Sequence, residues 1–155
     1  MSFIVLADHD DTRGSATVDA FMGAGHAVAC FADARQVLEA IRFRLPHLVV
    51  LDADLPGSGM AAILHAVRRE QRLVTLPVML LAARSAIDGG RHGLFREADA
   101  VLVKPAPADA LVRQAERLIR QAASDRAGME RIADDNGWGA RLPESRPADA
   151  SMRFC

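Results

Sequence analysis

The chain has 155 residues, of which 50% are hydrophobic and 25% charged, and its formal net charge is −1 at pH 7. This length is enough for one domain with a substantial core and too short for two ordinary domains. The near-neutral charge excludes a general field that would attract nucleic acid or an anionic membrane. The sequence has neither an apolar run of transmembrane length nor a leader-like amino terminus, which predicts a cytoplasmic protein.

Short apolar runs alternate along the chain with segments of helical periodicity. The predicted strands are residues 2–7, 26–31, 48–51, 77–82 and 100–103. The predicted helices are about residues 11–24, 33–43, 58–70, 83–97 and 107–122, of which the fourth is weakest because of its glycines. Alternation of this kind is typical of parallel βαβ units. We therefore predict an α/β fold with a doubly wound, flavodoxin-like sheet of five parallel strands in the order 2-1-3-4-5.

The last 33 residues, 123–155, differ in composition from the rest. Gly128 argues against extension of the last helix, and Pro143 and Pro147 interrupt the residues beyond it. We predict a disordered tail over 123–155. The alternative is a partner-docking motif around Trp138, the only tryptophan.

Three of the predicted strands end in charged residues. The first delivers Asp8, the third Asp52 and the fifth Lys104, the only lysine among 19 basic residues. Strands one and three are neighbours in the predicted order, so the two carboxylates should lie together at the carboxyl edge of the sheet. Paired carboxylates call for a hard cation such as Mg²⁺. A carboxylate can also act as a nucleophile on phosphorus, and a lysine can stabilise phosphoryl oxygens.

The chain resembles the receiver domain of bacterial response regulators. Four segments carry the resemblance over residues 2 to about 122: Ile4-Val-Leu-Ala-Asp8-His-Asp10, Leu48-Val-Val-Leu-Asp52-Ala-Asp-Leu-Pro56, Pro77-Val-Met-Leu-Leu-Ala-Ala-Arg84 and Val101-Leu-Val-Lys104-Pro105. Each motif alone is weak, but the four in this order and at these spacings are specific. The resemblance implies a receiver domain over 1–122.

The resemblance also implies roles for the residues at the carboxyl edge. Asp52 is the expected phosphoacceptor, which takes a phosphoryl group from a histidine kinase or a histidine phosphotransfer protein. Lys104 is the expected phosphate-pairing lysine, and a cis peptide bond is expected at Pro105. The expected Mg²⁺ ligands are the carboxylates of Asp8 and Asp52, the backbone carbonyl of the Ala53-Asp54 segment, and His9 or Asp10 as a further candidate.

Three residues depart from the pattern of the family. His9 replaces the second of two consecutive acids, and imidazole is a poorer Mg²⁺ ligand than carboxylate. Ala82 replaces the hydroxyl residue at the end of the fourth strand, and Val101 replaces an aromatic switch residue on the fifth. Without these coupling residues, we expect phosphorylation to proceed without the usual conformational response.

Three classes of function remain open at this stage. The leading hypothesis is a stand-alone receiver in a phosphorelay, which is not an enzyme and acts through a downstream protein partner rather than nucleic acid or membrane. The second is a degenerate receiver that binds a protein or a small ligand independently of phosphorylation. The third is a phosphatase of the haloacid-dehalogenase type, suggested by Asp52-Ala53-Asp54 but contradicted by its position on the third strand.

The remaining charged residues give weaker signals. Arg68, Arg69 and Arg72 form a basic cluster that we interpret as a solvated face, with anion binding as the alternative. The histidines outside the site show no metal-ligand spacing, and we expect them to be structural or solvated; they are His26, His47, His65 and His92.

Overall fold

The computed structural model describes residues 1–8, 11–55, 59–88 and 92–135. Five strands form one parallel sheet; they are β1 Phe3–Ala7, β2 Ala27–Phe31, β3 Leu48–Asp52, β4 Val78–Ala83 and β5 Ala100–Lys104. Their order in the sheet is β2-β1-β3-β4-β5, which confirms the predicted fold class and strand order. The inner strands β1, β3 and β4 are buried between two helical layers, as expected for a parallel sheet, whereas the edge strands β2 and β5 are partly buried.

Helices connect the strands and cover both faces of the sheet. They are α1 Asp11–Gly23, α2 Ala34–Phe43, α3 Gly59–Arg69, α4 Arg84–Asp88, α5 His92–Phe95 and α6 Ala108–Asp135. The single weak helix predicted over 83–97 is therefore two short helices, one on each side of residues 89–91, which lie outside the described residues.

Two separate apolar clusters hold the layers to the sheet. Because side chains alternate along a strand, neighbouring residues of β1 enter different clusters. Val5 packs with the helices α2 and α3 on one face, whereas Ile4 and Leu6 pack with α1 and α6 on the other. All three side chains are fully buried. The sheet is thus covered on both faces, and its carboxyl edge is left as the place where loops and charged side chains meet.

Local signals account for several element ends. Gly25 follows α1 with a φ of 91°, in the left-handed region that favours glycine, and turns the chain into β2. Asp33 caps α2, because its side chain accepts a hydrogen bond of 2.7 Å from the backbone N–H of Arg35. Both features agree with the helix boundaries predicted from the sequence.

The carboxyl-terminal helix contradicts the predicted start of the tail. α6 is one continuous helix of 28 residues, Ala108–Asp135, so residues 123–135 are helical rather than disordered. Gly128 is accommodated inside it, since a glycine costs a helix only about 1 kcal/mol relative to alanine. Its neighbours, including Ala127, Met129 and Glu130, are good helix formers. Residues 136–155, including Trp138, lie outside the described residues.

The amino edge of the sheet is fastened by side chains that bond to backbone. Arg68, at the end of α3, donates hydrogen bonds to the carbonyl oxygens of Glu97 and Leu76 and to the carboxylate of Asp99, at 2.9, 3.2 and 2.8 Å. The interpretation of Arg68 as part of a solvated face is therefore wrong, because its guanidinium joins α3 to the loops before β4 and β5. Arg69 and Arg72 are exposed, as expected.

Two histidines anchor the first strand. His47 Nδ1 accepts a hydrogen bond of 2.9 Å from the N–H of Phe3. His26 Nδ1 accepts one of 3.3 Å from Ser2, and its Nε2 lies 3.1 Å from a carboxylate oxygen of Glu116. Both side chains have the structural role that the sequence predicted.

Within the described ranges, no helix has the length and apolar character needed to cross a membrane.

Candidate phosphoacceptor site

Strand register brings two acidic residues to the carboxyl edge of the sheet. Ala7 of β1 is the register partner of Leu51 of β3. Asp8 and Asp52 follow directly, so they occupy adjacent positions on neighbouring strands. Asp8 is held there by a backbone hydrogen bond of 3.0 Å from its N–H to the carbonyl of Phe31 on β2. The juxtaposition predicted from the strand order is therefore present.

Asp52 is a buried carboxylate paired with the only lysine of the chain. The residue is 2% exposed, and Lys104 Nζ donates a hydrogen bond of 2.7 Å to its Oδ1. The same oxygen accepts a hydrogen bond of 2.9 Å from the backbone N–H of Asp54. A buried charge is tolerated only when it is paired and hydrogen-bonded, and both conditions are met here. The two bonds also fix the orientation of the carboxylate.

Lys104 holds a second carboxylate at the same time. Its Nζ lies 2.9 Å from Oδ2 of Asp54, so one ammonium group bridges two acids that come from the end of β3. Asp54 is more accessible than Asp52, with 43% of its side chain exposed. The sequence predicted only a backbone role for Asp54. No spacing signal revealed the contact of its side chain, because β5 brings Lys104 to the site from 50 residues away.

The two carboxylates keep Lys104 in its charged form. Burial lowers the pKa of Lys104, but the hydrogen bonds and negative charges of Asp52 and Asp54 outweigh burial and raise this pKa above its ordinary value. At neutral pH the site therefore presents an ammonium group beside a buried carboxylate. An ammonium group in this position can attract phosphoryl oxygens and stabilise their negative charge.

The end of β4 contributes no polar side chain to the site. Ala82 is fully buried and follows Leu81, the register partner of Asp52. Val101 on β5 is half-buried and pairs in register with Leu80. Neither side chain can donate a hydrogen bond to a group on Asp52. The positions expected to link the site to β4 and β5 are thus apolar in the folded protein, as the sequence indicated.

The donor set suits a small hard cation. Mg²⁺ is commonly held by one or two carboxylates, with the remaining positions left to water and substrate phosphate, and Asp8 and Asp52 supply two carboxylates. No three metal-ligating side chains converge anywhere in the described ranges. His9 and Asp10, named above as further candidates, lie outside those ranges. The predicted metal ligands, two carboxylates and a backbone carbonyl, stay a prediction.

A comparison with protein families decides the assignment. Residues 4–116 match the family model for the response regulator receiver domain. The chain belongs to this family. Receiver domains are components of two-component signal transduction, and this chain therefore belongs to that class of signalling proteins. The cis peptide bond expected before Pro105 is also present.

Individual relatives agree with the family. The chain is 34% identical over 131 residues to the transcriptional activator protein PfeR of Pseudomonas aeruginosa. The aligned region covers 84% of this chain and 42% of PfeR. The chain is 27% identical to NtrX of Brucella abortus, with a TM-score of 0.73 over 83% of this chain and 29% of that chain.

A further structural neighbour supports the fold alone. The receiver domain of the sensor histidine kinase PA1611 from Pseudomonas aeruginosa, solved with a magnesium ion in its active-site cleft, is 19% identical, with a TM-score of 0.70 over 76% of this chain and 97% of that chain. The chain spans 42%, 60% and 55% of the length of PfeR and of two Streptomyces transcriptional regulators, AfsQ1 and CseB.

Proposed function

We propose that the receiver domain accepts a phosphoryl group on Asp52 from a histidine kinase or a histidine phosphotransfer protein. The observation that carries this proposal is the buried Asp52 carboxylate fixed 2.7 Å from Lys104 Nζ. A carboxylate oxygen of Asp52 forms a bond to phosphorus while the phosphorus–nitrogen bond of the donor phosphohistidine breaks, and the imidazole leaves. The product is an acyl phosphate on Asp52.

Lys104 and the two acids divide the remaining work. The Lys104 ammonium group pairs with the Asp52 carboxylate before transfer. During transfer it pairs with the phosphoryl oxygens and offsets the negative charge that develops on them. Asp8 and Asp52, with the backbone carbonyl of Asp54, would hold Mg²⁺. When bound, the ion neutralises charge on the phosphoryl oxygens. The magnesium ion in the PA1611 receiver supports this assignment by analogy of fold.

We propose that the protein is a signalling module, not an enzyme with turnover. The acceptor carboxylate of Asp52 is buried, which suits a stored phosphoryl group. Its output is then a change in binding to a downstream protein partner. The absence of nucleic acid among the partners stays a prediction, since several of the relatives are named as transcriptional or DNA-binding regulators.

Acetyl phosphate and Mg²⁺ provide the direct test. We expect the intact mass of the wild type to increase by one phosphoryl group, and the added mass to disappear on treatment with hydroxylamine, which cleaves acyl phosphates. Asp52→Asn, which keeps the shape of the side chain, should gain nothing. A folded wild type that gains no mass with ample Mg²⁺ would overturn the proposal in favour of a phosphorylation-independent binding module.

The apolar residues Ala82 on β4 and Val101 on β5 lead to a second prediction about the same site. Ala82→Thr places a hydroxyl next to the register partner of Asp52. We expect this variant to show larger phosphorylation-linked changes in amide hydrogen exchange around β4 and β5 than the wild type shows. Ala82→Val, of nearly the same shape but without a hydroxyl, is the control. Equal changes in all three proteins would contradict the inference that a missing hydroxyl limits the conformational response.

A further inference from the structure

Cys30 is bonded through its sulfur atom to another cysteine. The residue is part of a disulfide, and the described part of the chain contains no free cysteine. The sequence has two cysteines, Cys30 and Cys155, and the second is the carboxyl-terminal residue, which lies outside the described residues. Because a disulfide within one chain needs two cysteines, the composition leaves Cys155 as the candidate partner of Cys30.

Cys30 lies on an edge strand, where its sulfur atom can be reached from outside the sheet. It belongs to β2, which has a neighbouring strand on one side only, and it pairs in register with Leu6 of β1. Its side chain packs against the apolar cluster beneath α1 and α6 but is only partly buried. A thiol buried in a core is inert, whereas a partly exposed thiol can react. The position of Cys30 therefore allows thiol–disulfide exchange.

The residue that follows Cys30 holds an acid of the phosphoacceptor site. Phe31 is the last residue of β2, and its carbonyl oxygen accepts the hydrogen bond of 3.0 Å from the backbone N–H of Asp8. A covalent bond at Cys30 restrains the backbone one residue before this carbonyl. The redox state of Cys30 can therefore affect how firmly Asp8 is held at the carboxyl edge of the sheet.

The chain beyond α6 is long enough to reach Cys30. Because β5 ends at the carboxyl edge with Lys104, α6 begins near that edge, and its 28 residues carry the chain about 42 Å away. The 20 residues from 136 to 155 follow the end of α6 at Asp135. An extended chain of that length spans up to about 66 Å, which exceeds the length of α6. The carboxyl terminus can thus return to the end of β2 while the described helices and strands keep their places.

We infer that Cys30 and Cys155 form a reversible disulfide, which ties the carboxyl-terminal segment to the edge of β2 under oxidising conditions and releases it under reducing conditions. The oxidant is a small-molecule disulfide such as oxidised glutathione. A thiolate of one cysteine attacks this disulfide and releases one small thiol, and the other cysteine then displaces the second small thiol from the mixed disulfide. Both protein thiols lose a proton and an electron, and the small disulfide is reduced to two thiols. An excess of small thiol reverses both steps.

The places of the two cysteines favour a bond that can be reduced again. A disulfide that reagents can reach is more labile than one enclosed in a core. Cys30 is on an edge strand, and Cys155 is the last residue of the chain. Where thiols keep the surroundings reduced, such a bond is transient and serves as a redox sensor. Its formation does not depend on phosphorylation of Asp52.

Thiol labelling of the full chain tests the bond. After treatment with oxidised glutathione and its removal, we expect the wild type to have the mass of a monomer and to take up no N-ethylmaleimide; after dithiothreitol it should take up two. A tryptic digest of the oxidised protein should contain residues 14–35 linked to residues 154–155. Cys155→Ser is the control and should carry a glutathione or a maleimide on Cys30. Two reactive thiols, a bound glutathione or a covalent dimer in the oxidised wild type would overturn the inference.

Hydrogen exchange and thermal unfolding test whether the bond restrains the edge of the sheet. In the oxidised wild type, we expect slower amide exchange at Phe31 and Asp8 than in the reduced wild type. The thermal midpoint should be higher by roughly 10 °C, because the bond closes a loop of about 125 residues in the unfolded chain. Cys155→Ser and Cys30→Ala should behave alike under both conditions. Equal exchange and equal midpoints for the oxidised and reduced wild type would contradict a restraint of β2 by this bond.

Discussion

The charged side chains at the two edges of the sheet have different kinds of partner. At the carboxyl edge, Asp52 is buried and its charge is met by Lys104 from a distant strand. At the amino edge, Arg68 ties loops together through backbone carbonyls, while its neighbour Arg69 stays exposed. The ammonium group of Lys104 pairs with the Asp52 carboxylate and can pair instead with a phosphoryl group added to it. The guanidinium of Arg68 bonds to several acceptors that stay in place. The charged residues at the carboxyl edge suit chemistry, and those at the amino edge hold the loops in place.

Removing Lys104 should have the largest effect on stability. Lys104→Met leaves the buried Asp52 carboxylate without its cation, and we expect the free energy of unfolding to fall by about 2 to 3 kcal/mol in urea denaturation. The double variant with Asp52→Asn should recover part of this loss, because the charge that lacked a partner is gone. A double variant less stable than Lys104→Met alone would argue against the pair as the source of the effect.

Removing Arg68 should have the next largest effect and should disturb only the amino edge. Arg68→Ala deletes the hydrogen bonds to the carbonyls of Glu97 and Leu76 and to Asp99, and we expect a loss of about 2 kcal/mol. Arg35→Ala is the matched control, since Arg35 is 85% exposed and pairs with Glu39 along α2. It should cost about 0.5 kcal/mol or less. Equal losses would mean that the Arg68 bonds contribute nothing beyond an ordinary surface pair.

The exposed half of the Lys104 bridge should matter less for stability than the buried half. Asp54→Asn keeps the backbone N–H that bonds to Asp52 but weakens the ion pair, so we expect a change below about 1 kcal/mol. The pKa of Lys104, which both acids raise, should also fall. Nuclear magnetic resonance titration of the lysine side chain would measure it, and the single lysine of the chain makes its signal unambiguous.

The smallest effect expected is the pH dependence of the amino edge. Burial, followed by the positive charge of Arg126, lowers the pKa of His47. The unfolded chain then binds more protons than the folded one below about pH 6.5, so stability falls as the pH decreases through that value. His47→Asn retains an acceptor for Phe3 but does not titrate. Urea denaturation at pH 7.5 and 5.5 should show a smaller decrease for the variant, and an equal decrease would exclude His47 as a source.

Some sequence predictions failed where a local rule competed with tertiary structure. Gly128 argues against extension of the last helix beyond residue 122, but one glycine among good helix formers is a small cost, and α6 continues to Asp135. Arg68 was interpreted as solvated because clustered arginines usually are. Its acceptors lie in loops that the fold brings beneath α3, and nothing in the local sequence indicated them.

The sequence by itself determined the class of fold and the residues at the carboxyl edge. Apolar runs of strand length, separated by helical segments, permit few arrangements other than a parallel sheet, and in such a sheet the carboxyl ends of β1, β3 and β5 lie at the same edge. Asp8, Asp52 and Lys104 could therefore be placed together without coordinates.

Only the tertiary structure decided which side chains contact one another. The bridge from Lys104 to Asp54 joins residues 50 positions apart. Sequence patterns encode periodicity and strand ends, which are local. Contacts between loops and the exposure of a helix end depend on where the other elements stop, and that is fixed only when the whole chain has packed.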